Sequence, residues 1–199
     1  AEALMAALPE GAGTLDGDAV IADSVRLTLH GPLTELDAFA QGLFFVQDPA
    51  ASMVARYAAI EPGCTVADLC SAPGGKALEY ARTAGLVVAA DRAPNRLGRV
   101  SSNIARLDAG NVVPLAMDAL QSAIGSVDVV ALDAPCTGTG TFRRHPDARW
   151  RLKPSDLAVM GATQRALLNA AAELVKPGGL LVYSTCSLEP EENDQPVEV

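Results

Sequence analysis

Aromatic residues make up only 4% of the 199 residues, so small aliphatic side chains must fill most of any core. Long hydrophobic runs are also missing, and none reaches the roughly 18 residues that a membrane span needs. The first eight residues are apolar but lack the basic leader and cleavage pattern of a signal peptide. With 49% hydrophobic residues, the chain can still bury the core of one domain, or of one domain plus a fragment of another.

Cysteine and histidine are too few and too scattered for a metal site. The four cysteines are Cys64, Cys70, Cys136 and Cys186, and none of them forms a Cys-x-x-Cys pair. The two histidines lie far apart in sequence. We therefore expect no metal and no disulfide framework. Reduced thiols in a cytoplasmic protein are the preferred interpretation.

Positive charge is in deficit, because the net charge is −9. A strongly acidic chain is a poor ligand for nucleic acid, whose phosphates attract lysine and arginine. One run departs from this balance. Between Phe142 and Lys153, five basic side chains stand against one aspartate; they are Arg143, Arg144, Arg149, Arg151 and Lys153. Taken alone, the run is typical of a solvated loop, and Trp150 within it suits packing as well as stacking.

Short apolar runs alternate with helical patterns from about Thr65 onwards. The predicted strands are 65–69, 86–91, 111–115, 127–133 and 179–185, and the predicted helices are 75–83, 94–108 and 155–175. This alternation predicts parallel strands joined by crossover helices, and so an α/β fold with helices on both faces of an open sheet. Residues 176–179 read as the cap that ends the last helix.

The first 60 residues are less regular. Residues 19–29 can form one or two short strands. Asp48 followed by Pro49 predicts a capped helix that runs to about residue 59. We expect this portion to be a lead-in that packs on the sheet.

A glycine-containing turn follows the first strand of the sheet, where residues 68–76 read DLCSAPGGK. Glycines let a backbone approach a ligand closely, and the following helix offers free N–H groups. The turn is not a phosphate-binding P-loop, because Cys70 and Ala77 replace the glycine and the hydroxyl that this motif requires. By itself a structural turn explains the pattern equally well.

Four acids end successive strands of the predicted sheet: Asp68, Asp91, Asp118 and Asp133. Ligands of open α/β sheets bind at that edge. Asp91 lies where a carboxylate accepts hydrogen bonds from the ribose hydroxyls of a nucleoside, although capping of the next helix is an alternative. Four such acids are more than helix capping needs.

Two cysteines are predicted to meet at the same edge. Cys136 follows the fourth strand in Asp133-Ala-Pro-Cys, and Cys186 ends the fifth. An isolated cysteine is most often an inert buried residue. In the strand order 3-2-1-4-5 that is usual for such sheets, however, the fourth and fifth strands lie about 5 Å apart. The two thiols would then flank Asp133, which two inert cysteines do not explain.

Three ordered motifs, within residues 68–76, 133–147 and 183–193, resemble those of the Sun (NSUN/Fmu) family of RNA cytosine-C5 methyltransferases. The resemblance extends from about Gln47 to Asn193. It implies a Rossmann-like, S-adenosylmethionine-dependent methyltransferase domain over residues 47–199. Residues 1–46 would be a lead-in or the remnant of an RNA-binding module, and the family's last helix and strand pair would be missing.

The resemblance also implies roles for individual residues. Cys186 would be the nucleophile, Cys136 would assist product release, and Asp133 would contact the base near the cofactor. Asp91 would lie at the ribose of the cofactor and Asp118 near its adenine. The cradle for S-adenosylmethionine would be formed by Cys70, Ser71, Ala72, Pro73, Gly74, Gly75 and Lys76.

Two departures from the family pattern, Ser71 for alanine and Ala77 for threonine, remove no essential group. Two alternatives stay open. One is a methyltransferase that acts on DNA or on another position of a base, and the other is a catalytically silent scaffold that binds S-adenosylmethionine or RNA. The presence of both thiols and Asp133 favours the RNA enzyme, with ribosomal RNA preferred over tRNA.

Overall fold

A computed structural model describes residues 4, 7–8, 13–17 and 24–198. Its strands are β1 (Gly13–Gly17), β2 (Val25–Leu29), β3 (Thr65–Asp68), β4 (Leu86–Asp91), β5 (Val112–Ala116), β6 (Val127–Asp133) and β7 (Val175–Ser184). Its helices are α1 (Asp37–Ala40), α2 (Pro49–Tyr57), α3 (Gly75–Tyr80), α4 (Pro94–Leu107), α5 (Pro154–Glu173) and α6 (Asp194–Val197).

Strands β3 to β7 form one sheet in the order β5-β4-β3-β6-β7, and every neighbouring pair is parallel. The chain first adds β4 and β5 on one side of β3, and it then crosses back to add β6 and β7 on the other side. The order of strand addition therefore switches sides at β3. The predicted α/β class and strand order are confirmed. Strands β1 and β2 form a separate antiparallel hairpin.

Helices cover both faces of this sheet. On β3, Val66 belongs to one buried cluster and its neighbour Ala67 to another, as the alternation of side chains along a strand requires. The first cluster includes residues of α2, α3 and α4, and the second includes Leu167 and Ala171 of α5. Both faces of the central strands are therefore buried, which explains why their sequences are almost continuously apolar.

The last strand differs from its prediction. Instead of starting at residue 179, β7 begins at Val175, so residues 176–179 are not the expected helix cap. The register between β6 and β7 shifts at this point, because Val127 pairs with Val175 whereas Val129 pairs with Leu180. The extra residues bulge out of the ladder at Gly178, whose φ is 79°. An ion pair at 2.6 Å between Lys176 and Asp128 ties this bulge to β6.

The N-terminal part is described only in places. Asp48 caps α2 as predicted, since its Oδ1 accepts a hydrogen bond from the N–H of Ala50 at 2.8 Å. The predicted strand region 19–29 contains β2, but residues 19–23 lie outside the described residues. The pairing of β2 with residues 13–17 was not predicted. Among the helices of the described residues, none is long and apolar enough to cross a membrane.

Candidate active site

The carboxyl ends of β3, β4, β6 and β7 meet at one edge of the sheet, and the loop after β3 starts there. Leu69 donates its N–H to Ala131 of β6 at 2.9 Å, and Ser71 donates to Ala90 of β4 at the same distance. The loop is thus anchored to both neighbours of its own strand. Gly74 has φ 99°, and a Cβ added there would lie 3.2 Å from Cγ1 of Val100, so this position requires glycine.

Asp91 holds the loop from the side of β4. Its Oδ2 accepts a hydrogen bond from the N–H of Ala72 at 3.2 Å, and its Oδ1 accepts from the N–H of Ala93 at 2.9 Å. Arg96 adds an ion pair at 3.4 Å and donates to the carbonyl of Ala72. Asp91 is 3% exposed. It therefore shapes the loop and the start of α4, and it lies where the ribose contact is predicted.

Asp68 is buried behind the loop, and within the part of the chain that the structure describes no group lies within hydrogen-bonding geometry of either carboxyl oxygen. The hydroxyl of Ser71 is buried nearby and acts to lower the pKa of Asp68, but burial outweighs it. Burial raises the pKa of Asp68 to about 7. Buried polar atoms in this state are suited to a ligand that supplies the missing partners.

Cys70 and Asp118, also predicted to contact the cofactor, have environments that do not by themselves indicate a ligand. Cys70 is half-buried, and burial raises the pKa of its thiol to about 12, so it remains protonated. Asp118 follows β5 at the same edge, half-buried, and its Oδ1 accepts a hydrogen bond from the N–H of Leu120 at 3.0 Å. The predicted adenine contact of Asp118 stays a prediction.

The thiols of Cys136 and Cys186 meet as the sequence predicted. Their sulfurs are 2.9 Å apart, and the N–H of Cys186 donates to Sγ of Cys136 at 3.3 Å. The hydrogen bond from Cys136 lowers the pKa of Cys186 to about 7. The same contact, together with burial, raises the pKa of Cys136. Cys186 is exposed and Cys136 is half-buried, so the more accessible sulfur is the one that ionises first.

Asp133 lies beside the thiols. Two side chains hold it there, and the sequence did not predict either of these contacts. Lys76, in the first turn of α3, forms an ion pair with its Oδ2 at 2.6 Å. Ser184, at the end of β7, donates its hydroxyl to Oδ1 at 3.0 Å. Lys76, predicted to cradle a cofactor, thus joins the start of α3 to the carboxylate at the end of β6.

Glu192 lies within the third motif, residues 183–193, but the resemblance implies no role for it. It is completely buried, and its carboxylate accepts hydrogen bonds from Thr137, next to Cys136, and from Gln164 of α5. Charged residues are almost never fully buried unless they are paired, so a glutamate with 0% exposure among polar partners marks a specific role in the structure. The sequence does not show it, because a glutamate in a polar run is expected to be solvated.

The basic run starts directly beside Cys186. Gly140 donates its N–H to the carbonyl of Cys186 at 3.0 Å, and the run continues from there as an exposed loop. Two of its five basic side chains are ion-paired: Arg144 with Asp48, and Arg151 with Asp147 at 2.6 Å. Trp150 is 84% exposed, so it is not a packing residue of this domain.

The described residues contain no group of three or more His, Cys, Asp or Glu side chains that could hold a metal ion. The arrangement instead offers a thiol that ionises near neutral pH, a second protonated thiol in contact with it, and a carboxylate paired with a lysine. These groups are suited to covalent catalysis with proton transfer.

An open parallel sheet in this order, with a glycine-containing loop after β3 and acids at the strand ends, defines a Rossmann-like fold of the methyltransferase class. Comparison with known proteins narrows this class. Residues 57–199 match the family model for the 16S rRNA methyltransferase RsmB/F family. The chain belongs to this family.

Individual relatives agree. The chain is 41% identical over 180 residues to ribosomal RNA small subunit methyltransferase B of Klebsiella pneumoniae, an alignment that covers 88% of this chain and 42% of that protein. Among solved structures, a methyltransferase homologue from Pyrococcus horikoshii aligns with a TM-score of 0.83 at 32% identity, covering 99% of this chain and 64% of that one. NSun6 from the same organism, solved with SFG, aligns with a TM-score of 0.77 at 34% identity, covering 88% and 47%. The chain thus spans less than half the length of its rRNA methyltransferase relative.

Proposed function

We propose that the protein methylates carbon 5 of cytosine in RNA, with S-adenosylmethionine as the methyl donor. The observation that carries this proposal is the contact between the sulfurs of Cys136 and Cys186, 2.9 Å apart beside Asp133. Methylation of an exocyclic amino group needs no thiol, and an inert scaffold needs neither a pair of thiols nor an ionised one. Family membership supports the same activity.

Carbon 5 of cytosine is a poor nucleophile until a group adds to carbon 6. In the proposed reaction the thiolate of Cys186 forms a bond to carbon 6, and electron density moves to carbon 5. Its pKa of about 7 means that a substantial fraction is thiolate at neutral pH. After methylation, loss of the proton from carbon 5 allows the carbon–sulfur bond to break and restores the thiolate.

The cytosine ring must be held in place beside the thiolate, and its exocyclic amino group needs a hydrogen-bond acceptor. Asp133 is held within reach of the thiols by Lys76 and Ser184, so its geometry is preorganised before any base arrives. A fixed carboxyl group with a neighbouring cation is suited to hydrogen-bond the cytosine edge. We assign base recognition to Asp133 on this ground.

The residues at the strand ends fit the cofactor. S-adenosylmethionine carries an ammonium group and two ribose hydroxyls, all of which need acceptors. Asp68, whose two oxygens have no close hydrogen-bond partner among the described residues, and Asp91 offer carboxyl groups on either side of the loop that starts at Cys70. When bound, the cofactor supplies an electrophilic methyl group. The related NSun6 structure contains SFG, an analogue of this cofactor.

Ribosomal RNA is the proposed substrate, because the matched family and the Klebsiella relative carry that substrate in their names. A cytoplasmic location follows from this proposal. The test is methyl transfer from labelled S-adenosylmethionine to small-subunit rRNA, followed by digestion and identification of the methylated nucleoside. We expect 5-methylcytidine. A label on N4 or on a ribose, or transfer to DNA alone, would contradict the proposal.

Replacing Asp91 should weaken cofactor binding. Asp91→Ala removes a charged acceptor and frees the N–H of Ala72, and we expect a loss of about 1–3 kcal/mol in the binding free energy of S-adenosylmethionine. Titration calorimetry measures it. Glu173→Gln, an exposed change at the far end of α5, serves as the control. Unchanged affinity in a folded Asp91→Ala variant would show that this residue only shapes the loop.

Within the basic run, Arg144 and Arg151 are already ion-paired with aspartates, so we expect the other basic side chains to contribute more to RNA binding. Changing Arg143 and Arg149 to glutamine should weaken RNA binding and reduce the salt slope of log Kd by about 1.4–1.8, since each of the two phosphate contacts contributes about 0.7–0.9. Binding measured at several salt concentrations tests this. The same double change at Arg26 and Arg99, both exposed outside the run, is the control. An equal slope in both double variants would leave the run as a solvated loop.

A further inference from the structure

Glu192 lies in the short turn Pro190–Glu192 with no exposed surface. A carboxylate in such a place is costly unless several hydrogen bonds compensate for the lost water. Its partners are therefore informative. They include Thr137, which follows Cys136, Gln164 of α5, and Tyr183 of β7, which precedes Cys186 by three residues.

The first set of contacts surrounds Cys136. Thr137 donates its N–H to Oε1 of Glu192 at 2.8 Å and its hydroxyl to Oε2. Gln164 donates to the same Oε1 at 3.1 Å and also to the carbonyl of Pro135 at 2.9 Å. Cys136 is thus held on both sides, through the residue before it and the residue after it.

The second set surrounds Cys186. Tyr183 donates its hydroxyl to the carbonyl of Glu192 at 2.7 Å. The next residue, Asn193, accepts from the hydroxyl of Thr185 at 2.7 Å and donates to the carbonyl of Ser187 at 3.1 Å. The turn that carries Glu192 is therefore bonded to both neighbours of the second thiol.

We propose that Glu192 is a positioning residue whose buried carboxylate fixes the loop of Cys136 against the loop of Cys186. It touches neither sulfur in the described contacts, and it acts through Thr137 and Gln164. Its importance for methyl transfer rests on the function proposed above, whereas its effect on the thiol pair does not.

The partners explain why a carboxylate is needed. The donors that converge on its two oxygens include the N–H and O–H of Thr137 and the amide of Gln164, and the hydroxyl of Ser187 contributes as well. A glutamine in place of Glu192 would turn one of its own donors towards them. Burial raises the pKa of Glu192, but hydrogen bonds from Ser187, Thr137 and Gln164 outweigh burial and bring this pKa below its ordinary value. The group is therefore ionised at neutral pH.

The thiol pair reports on this positioning directly. The pKa of Cys186 depends first on the hydrogen bond from Cys136, which lowers it, then on burial, which raises it, and then on the nearby charges of Asp133 and Lys76. If Glu192→Gln loosens the loop of Cys136, this hydrogen bond weakens and the pKa of Cys186 rises from about 7 towards 9.0. We expect alkylation of Cys186 at pH 7 to slow by roughly tenfold, because the thiolate is the reacting species.

The experiment measures iodoacetamide alkylation of the full-length protein against pH, with Cys186 followed by peptide mass spectrometry. It needs neither RNA nor cofactor, so it is independent of the proposed activity. The matched control is Glu191→Gln, which removes the same charge one residue away. Thr137→Val removes one hydroxyl contact at constant shape, and Thr137→Ser keeps the hydroxyl. The melting temperature of each variant is recorded.

Higher pKa values of Cys186 in Glu192→Gln and Thr137→Val, with wild-type values in Glu191→Gln and Thr137→Ser, support positioning. A fall in melting temperature with an unchanged titration of Cys186 overturns it, because Glu192 would then be a structural residue only. Should Glu192→Gln fail to fold, the Thr137 pair decides by the same criterion.

Discussion

Methyl transfer should be lost when Cys186 is changed to alanine. The proposed reaction starts with a bond between this sulfur and carbon 6, so no other group can activate carbon 5. We expect a fall of about 10⁴-fold or more, the scale seen when a covalent nucleophile is removed. The measurement is label transfer from S-adenosylmethionine to small-subunit rRNA. Cys64→Ala is the control, since Cys64 precedes β3 and lies at the opposite edge of the sheet.

The structure makes this expectation specific to one sulfur. Cys186 is exposed, whereas Cys136 is half-buried, and the hydrogen bond between them lowers the pKa of Cys186. Cys186→Ala protein should also form no covalent complex with RNA. Residual transfer within tenfold of the wild-type rate would show that Cys186 is not the nucleophile.

The sheet and the thiol pair were predictable because they depend on chain order alone. Apolar runs defined the strands, and crossover handedness and strand order then bring Cys136 and Cys186 to adjacent strand ends. The start of β7 was not predictable in this way. Lysine, proline and glycines at residues 176–179 resemble a helix cap, and only pairing with β6 converts them into a bulge.

The supporting contacts could not be predicted for a different reason. Lys76 and Glu192 are long charged side chains, and nothing in their local sequence indicates which way they point. Lys76 reaches Asp133 across the gap between two strands, and Glu192 is buried by α5 and by the loop after β6. Their roles depend on contacts between residues 28 to 57 positions apart.

Cys136→Ala should behave differently from Cys186→Ala. The nucleophile remains, so addition to carbon 6 and methylation still occur, but release slows. We expect a covalent protein–RNA complex to accumulate in the presence of S-adenosylmethionine, seen as a shifted band on a denaturing gel. The adduct should form better with single-stranded or loop RNA than with duplex, because the base must leave its stack to reach the thiol. Cys64→Ala again serves as the control.

The pKa values support the late role that we propose for Cys136. In the resting site the pKa of Cys136 is raised, first by its hydrogen bond to Cys186 and then by burial and by the charge of Cys186, so Cys136 stays protonated and supports the thiolate beside it. Once the sulfur of Cys186 is bonded to carbon 6 it carries no charge. The largest cause of the raised pKa is then gone, so Cys136 can release its proton to solvent, and in the proposed reaction the resulting thiolate takes the proton from carbon 5. Two inert cysteines predict no adduct in either variant. An adduct in Cys186→Ala but not in Cys136→Ala would reverse the two roles, as in enzymes whose nucleophile is the thiol that follows proline.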